Sequence, residues 1–245
     1  MKHLLLFLLL LNSYIAHAQT CIIVIKTDTT IIIAADTRLR NFKLVKIGRT
    51  EEVITENETY RKIGGGGKVF FAISGLPLQP MFEIADSVCK ISKNIVQAVE
   101  AFVPVATKRM EKIVNAIALK SKKFFEENYL NQETCSLLFS SIEDGGSMVI
   151  DVHLKVNPLP VGFEVVPVLK FYPDEYADDF KHLAAGHTTA IADSITSDKT
   201  WENTDPVQTA INLIKVQSKA TPATVSPPID VLILDKDKGV IKRYD

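Results

Sequence analysis

Two short β-branched runs near the start of the chain constrain its fold most: Cys21–Lys26 (CIIVIK) and residues 30–35 (TIIIAA), separated only by Thr27-Asp28-Thr29. Side chains branched at Cβ suit a pleated surface and lose rotamer freedom in a helix. Each run is nearly continuous in its apolar character, so together they predict a hairpin of strands buried on both faces. Such a hairpin is not stable alone. The rest of the chain must cover both of its faces.

Helical cover follows. From Met81 to Phe102 apolar residues recur at helical spacing (Met81, Ile84, Val88, Ile91, Ile95, Val99, Phe102), Pro104 is expected to punctuate, and a second pattern runs through Met110, Ile113, Ile117 and Phe124. Strand-like texture covers 43–47 and 68–74 before these helices, and 136–142, 148–156 and 163–172 after them. Residues 49–61 read as a surface loop or irregular hairpin, with a glycosylation sequon at Asn57 that carries little weight, and Asp144-Gly145-Gly146 reads as a hairpin turn. Within 148–156 the apolar residues alternate with Asp151, His153 and Lys155, so His153 is expected to face solvent without a role. Helical texture resumes near 187–194 and after Asp205-Pro206, an N-cap followed by a first-turn proline. Residues 229–234 and 240–242 close the chain as strands. Strands, two helices, strands, helices, final strands: this order predicts the α+β class, two packed sheets with helix pairs outside, in a single domain over 19–245.

The formal net charge is −1 and the basic residues are scattered, which leaves no footprint for nucleic acid and no polybasic membrane patch. Three cysteines (Cys21, Cys89, Cys135) are too few for a disulfide-stapled scaffold, although one pair could form. No HExxH or CxxC is present and His153, His182 and His187 have no metal-ligand spacing, so neither a metal nor another cofactor is expected. Gly64–Gly67 with Lys68 fails the phosphate-loop pattern at Val69. Asp174, Glu175, Asp178 and Asp179 lack calcium-loop order and read as a solvated helix start, and Trp201 reads as packing.

The first residues have a different character. Lys2 and His3, an apolar stretch, and Ala16-His17-Ala18 together read as a signal peptide over 1–18, too short to span a bilayer. An exported bacterial protein, periplasmic or secreted, is expected, with no membrane association once the leader is gone. Lipidation at Cys21 is the rival reading; Ala18-Gln19-Thr20 lacks the residues usual before such a cysteine. The leader therefore ends one residue short of Thr20. A threonine that heads a mature chain carries its hydroxyl and a free α-amine on one residue, a recognised activated nucleophile. Cleavage after Ala18 leaves Gln19 in front, so the amine is exposed only by a later cut or by self-trimming. Such a site needs a buried cation and an anion to hold it. Lys62, before the strand at 68–74, and Asp36, at the end of the second run, are the candidates.

Thr20, the β-branched strand, the polar turn and "AADTR" (Ala34 to Arg38) resemble the start of a mature proteasome β-type subunit, including the bacterial HslV-type peptidase. Asp36 lies sixteen positions after Thr20, as the aspartate of that family does after its threonine. Lys62-Ile63 resembles the family's Lys-Ile, displaced by an insertion, and Gly75 in "FAISG" resembles the glycine whose N–H helps form the oxyanion hole. The resemblance spans nearly the whole mature chain and becomes diffuse after about Leu130. It implies a four-layer αββα sandwich of the N-terminal-nucleophile type. It further implies a threonine hydrolase acting on peptides or small amides, assembled as a homo-oligomeric ring. An ATP-driven unfoldase is not expected, because exported compartments lack ATP.

The chain also departs from the pattern. Arg40 stands where the family places a Thr or Ser that binds substrate backbone. The Gly-Ser-Gly segment is present only as Ala185-Gly186-His187-Thr188, and Thr224 and Ser226 are loose substitutes for a supporting Asp and Ser. Two alternatives stay open: a non-catalytic proteasome-like assembly or binding module, and a related amidase headed by Cys21.

Overall fold

The computed structural model describes residues 20–47, 50–144, 146–172 and 181–244, with the side chains of all but 39–57 and 242–244. The leader, Gln19, Gly145, the acidic group Asp174, Glu175, Asp178 and Asp179, and the side chains of Arg40 and Asn57 lie outside the described residues.

The two β-branched runs form β1 (Cys21–Lys26) and β2 (Thr30–Asp36), paired antiparallel from Ile22↔Ala35 to Lys26↔Ile31. β3 (Arg38–Ile47) and β4 (Thr50–Thr59) pair only with each other. β5 (Ile63–Gly66), β6 (Val69–Gly75), β7 (Gln132–Glu143), β8 (Gly146–Pro158) and β9 (Phe163–Tyr172) form a five-stranded antiparallel sheet in sequence order. With β10 (His182–Gly186), β11 (Ile229–Asp235) and β12 (Gly239–Tyr244), the first hairpin completes another, in the order β10-β1-β2-β11-β12. Among the described residues there are six helices: α1 (Leu78–Ile91), α2 (Ile95–Lys120), α3 (Lys122–Asn128), α4 (Ala192–Thr196), α5 (Asp198–Trp201) and α6 (Pro206–Ala220). The protein is an α+β protein with two large antiparallel sheets.

Period-two alternation sorts β1 and β2 between two cores. Ile22, Val24, Ile31 and Ile33 meet Phe70, Ala72, Leu138 and Val149 between the sheets. Cys21, Ile23, Ile25 and Ile32 pack with Ala210 and Ile214 of α6. A third core joins Phe71, Phe139 and Val152 of the second sheet to Met81 of α1 and Phe102 of α2. Each fully buried Ile, Val or Phe contributes roughly 1.5–3 kcal/mol over leaving it exposed. The double cover expected for the first hairpin is thus observed.

Several boundaries differ from the expectation, each for a physical reason. The helical pattern breaks at Ser92 to Asn94, and Pro104 lies inside the continuous helix α2. Pro104 is on the exposed side, where the carbonyl it leaves unpaired meets water. The true start is Asn94, whose Oδ1 accepts from Gln97 N at 2.8 Å, while Glu143 of β7 accepts from Ile95 N at 2.9 Å. The segment 49–61, expected as a surface loop or irregular hairpin, contains the regular strand β4, and the strand expected at 43–47 begins at Arg38. Helix near 187–194 is limited to α4. All three cysteines are buried and free.

Candidate functional site

The site forms where the β-branched runs end. Asp36 closes β2, and continuation of the β1–β2 register sets it beside Cys21. Cys21 N donates to Asp36 Oδ1 at 2.8 Å, and Arg38 N (3.1 Å) and Ser226 N (3.3 Å) donate to Oδ2. Lys62, just before β5, places Nζ 3.1 Å from each carboxylate oxygen, with both side chains fully buried. Burying two charges costs several kcal/mol per ion, which their attraction offsets only when further hydrogen bonds satisfy the carboxylate. Three backbone N–H groups do so here. Burial raises the Asp36 pKa and lowers that of Lys62, with the partner's charge opposing the shift in each case.

Thr20 immediately precedes β1. Alternation assigns its side chain to the between-sheet side, with Ile22 and Val24. It is fully buried, and its Oγ1 has no hydrogen-bond partner, so Lys62 Nζ does not donate to it in this structure. Cys21 falls on the opposite side, in the core against α6. Burial, then the Asp36 charge, pushes its thiol well above the ordinary range, with Lys62 opposing. A thiol so placed is a poor nucleophile.

The Thr20 carbonyl accepts from His187 N at 2.6 Å. This approach requires Gly186, whose φ is +84° and whose absent Cβ would lie 2.0 Å from Thr20 O. Thr224 Oγ1 lies 3.2 Å from His187 Nδ1, and Ser226 reaches Asp36 through its backbone. The imperfect matches at 185–188 and 224–226 thus hold the two ends of the site. Gly75 ends β6 at φ +92°, where a Cβ would lie 2.2 Å from Thr134 O. Its neighbour Ser74 is buried, with Cβ 3.5 Å from the Cβ position of Gly186. The structure therefore joins Asp36 and Lys62 directly, Thr20 to them through Cys21, and Gly75 to the same corner through Ser74 and Gly186.

Beside this corner opens a cleft of about 620 Å³, lined among others by Ser74, Gly75, Ser136, Asp151, His153 and Gly186. Here the solvent-facing expectation for His153 is overturned: its side chain is only 12 % exposed. Nε2 lies 2.7 Å from Asp151 Oδ2, Nδ1 lies 3.3 Å from Glu133 Oε2 without hydrogen-bond alignment, and Ser136 Oγ donates to Asp151 Oδ1 at 3.2 Å. β8 alternates as expected, but the face carrying Asp151, His153 and Lys155 lines a cleft shared with the edge strand β10 of the other sheet. Burial alone would lower the His153 pKa; the hydrogen bond and charge of Asp151, then Glu133, outweigh it and raise it above the ordinary imidazole value. A raised folded-state pKa means that this stabilisation is complete below the unfolded pKa of about 6.5 and is lost as pH rises through the folded value. His153→Gln will therefore lower the unfolding midpoint most near about pH 5 and progressively less toward about pH 9. A difference that grows with pH would contradict this.

Trp201 packs as expected, stacked on His182 with ring centroids 4.2 Å apart and donating from Nε1 to Ile195 O. Among the described residues no three His, Cys, Asp or Glu side chains come together as a metal site. No family model matches this chain, and no curated protein matches it.

Proposed function

We propose that the chain is an exported, proteasome-like threonine hydrolase, a four-layer αββα sandwich that cleaves amide bonds with Thr20 once Gln19 is removed. The observation that carries this reading is the buried Asp36–Lys62 pair hydrogen-bonded to Cys21 N, which fixes a cation one residue from Thr20. The helical cores outside each sheet and the apolar core between the sheets support the four-layer reading.

Removal of Gln19 turns the Thr20 nitrogen into an α-amine, with an unperturbed pKa of about 8. The amine takes the Oγ1 proton, through one water, as Oγ1 bonds to the substrate carbonyl carbon. The C–N bond then breaks, and the proton leaves with the departing amine. A water molecule, deprotonated by the same α-amine, cleaves the resulting ester and returns a proton to Oγ1. The Lys62 ammonium favours the developing alkoxide, Asp36 keeps that ammonium in place, and the Gly75 N–H stabilises the oxyanion. The cleft beside Ser74 and Gly186 is the natural seat for a peptide or small amide. The side chain of Cys21 packs in the core against α6, on the other side of β1 from the between-sheet side that Thr20 takes, which argues against the cysteine-headed amidase.

The lack of a hydrogen bond to Thr20 Oγ1 favours a second reading, a non-catalytic module of the same architecture. Intact-mass analysis and N-terminal sequencing of the exported protein separate the two. The hydrolase reading requires Thr20 as the first residue. A stable population beginning at Gln19 contradicts it and favours the inert module.

A further inference from the structure

Beyond Arg38, whose N–H holds Asp36, the β3–β4 ribbon takes no part in the site, and each of its strands pairs with no strand outside the ribbon among the described residues. Its ladder is unbroken from Arg38↔Thr59 to Ile47↔Thr50, so among the described residues each ten-residue strand has an unpaired backbone edge of roughly 34 Å. Its base is stitched to the body: Tyr60 N donates to Thr37 O, and Thr37 N and Oγ1 both donate to Pro228 O. A long, regular edge of this kind is a template for another strand.

Charge is sorted by strand. β3 carries Arg38, Arg40, Lys43 and Lys46 and no acidic residue; β4 carries Glu51, Glu52, Glu56 and Glu58 and no basic one. Arg38 donates to Pro222 O at the base, and Arg40, Lys43 and Lys46 are the other basic positions along β3. The whole chain is nearly neutral, at −1, so this sorting is local. Charges that merely protect edges from association would have one sign on both strands. Opposite signs do something else. They repel β3 from β3 and β4 from β4, and admit only β3 against β4.

We propose that the ribbon joins copies of this chain: the free edge of β3 in one copy pairs with the free edge of β4 in the next, continuing one antiparallel sheet from molecule to molecule. The contact is head-to-tail, so repetition closes a ring or extends a filament. Backbone hydrogen bonds supply the attraction, and the sorted charges set partner and direction. The inference does not depend on any catalytic role for Thr20.

Charge reversal tests it. One variant carries Arg40→Glu, Lys43→Glu and Lys46→Glu; a second carries Glu51→Lys, Glu52→Lys and Glu56→Lys; a third carries all six. Light scattering after size exclusion should show wild type assembled, each single-strand variant reduced to monomer, and their equimolar mixture assembled again. The six-fold variant keeps opposite charges within its own ribbon and should assemble alone, yet exclude tagged wild type from its assemblies. That exclusion separates contact between copies from stabilisation within one ribbon. Monomeric wild type, undiminished assembly of either single-strand variant, failure of the mixture to assemble, or free mixing of wild type with the six-fold variant would overturn the proposal.

Discussion

Replacing Thr20 by alanine in the mature chain is expected to reduce amide hydrolysis by about 10⁴-fold or more, the scale on which enzymes lose a covalent nucleophile. The α-amine, the Asp36–Lys62 pair and the cleft all survive the change, and of the two atoms withdrawn, Oγ1 and the γ-methyl, only Oγ1 is reactive. Stability should fall by no more than about 1 kcal/mol, the cost of the buried γ-methyl, because Oγ1 is buried without a hydrogen-bond partner. Losing an unsatisfied buried hydroxyl costs little, well under about 1 kcal/mol, and can even stabilise. Thr20→Ser should keep part of the activity, since it retains the hydroxyl but loses the β-branch that limits rotation about χ1. Activity that persists in a folded Thr20→Ala protein would remove Thr20 from the chemistry.

Lys62→Ala should produce a large loss of stability, comparable to truncating a buried core phenylalanine. It leaves Asp36 fully buried with its backbone donors but no countercharge, and breaking such a pair typically costs about 3–5 kcal/mol. Asp36→Asn is the reciprocal change, with the ammonium left uncompensated. The double variant Asp36→Asn with Lys62→Met should recover much of this stability, because it removes both charges while keeping comparable volume. Activity should not return with it. Denaturant unfolding and turnover measured on the same three proteins therefore separate the structural role of the pair from its electrostatic one. A stable double variant that hydrolyses amides at the wild-type rate would show that the pair only holds the fold.

These two predictions rest on parts of the molecule that were unevenly legible in the sequence. The first hairpin could be read directly, because β-branched runs buried on both faces leave few alternatives, and both were found as strands. The break between α1 and α2 could not, since part of the α2 cap is supplied by Glu143 from a distant strand. Pro104 misled because proline breaks a helix mainly where the freed carbonyl is buried, and here it faces solvent. The β3–β4 ribbon is only partly legible, as a strand at 43–47 and a loop or irregular hairpin at 49–61, because strands that belong to neither large sheet show no clean apolar alternation. Asp36 and Lys62 are twenty-six positions apart; they are candidates because an N-terminal threonine needs a cation and an anion to hold it, and the family resemblance strengthens the pairing, but nothing in their local sequence encodes the contact. His153 and Gly186 were undervalued for one common reason. Their roles depend on how the edge of one sheet lies against the other, which no single-strand pattern records.

The claim that Thr20 is an N-terminal nucleophile is tested most directly by labelling the mature protein with a β-lactone and mapping the adduct within the tryptic peptide Thr20-Cys21-Ile22-Ile23-Val24-Ile25-Lys26. The account predicts a single acyl ester on Thr20 Oγ1, formed as the lactone ring opens. Acylation of Cys21 instead, or no adduct on a chain that begins at Thr20, would contradict it.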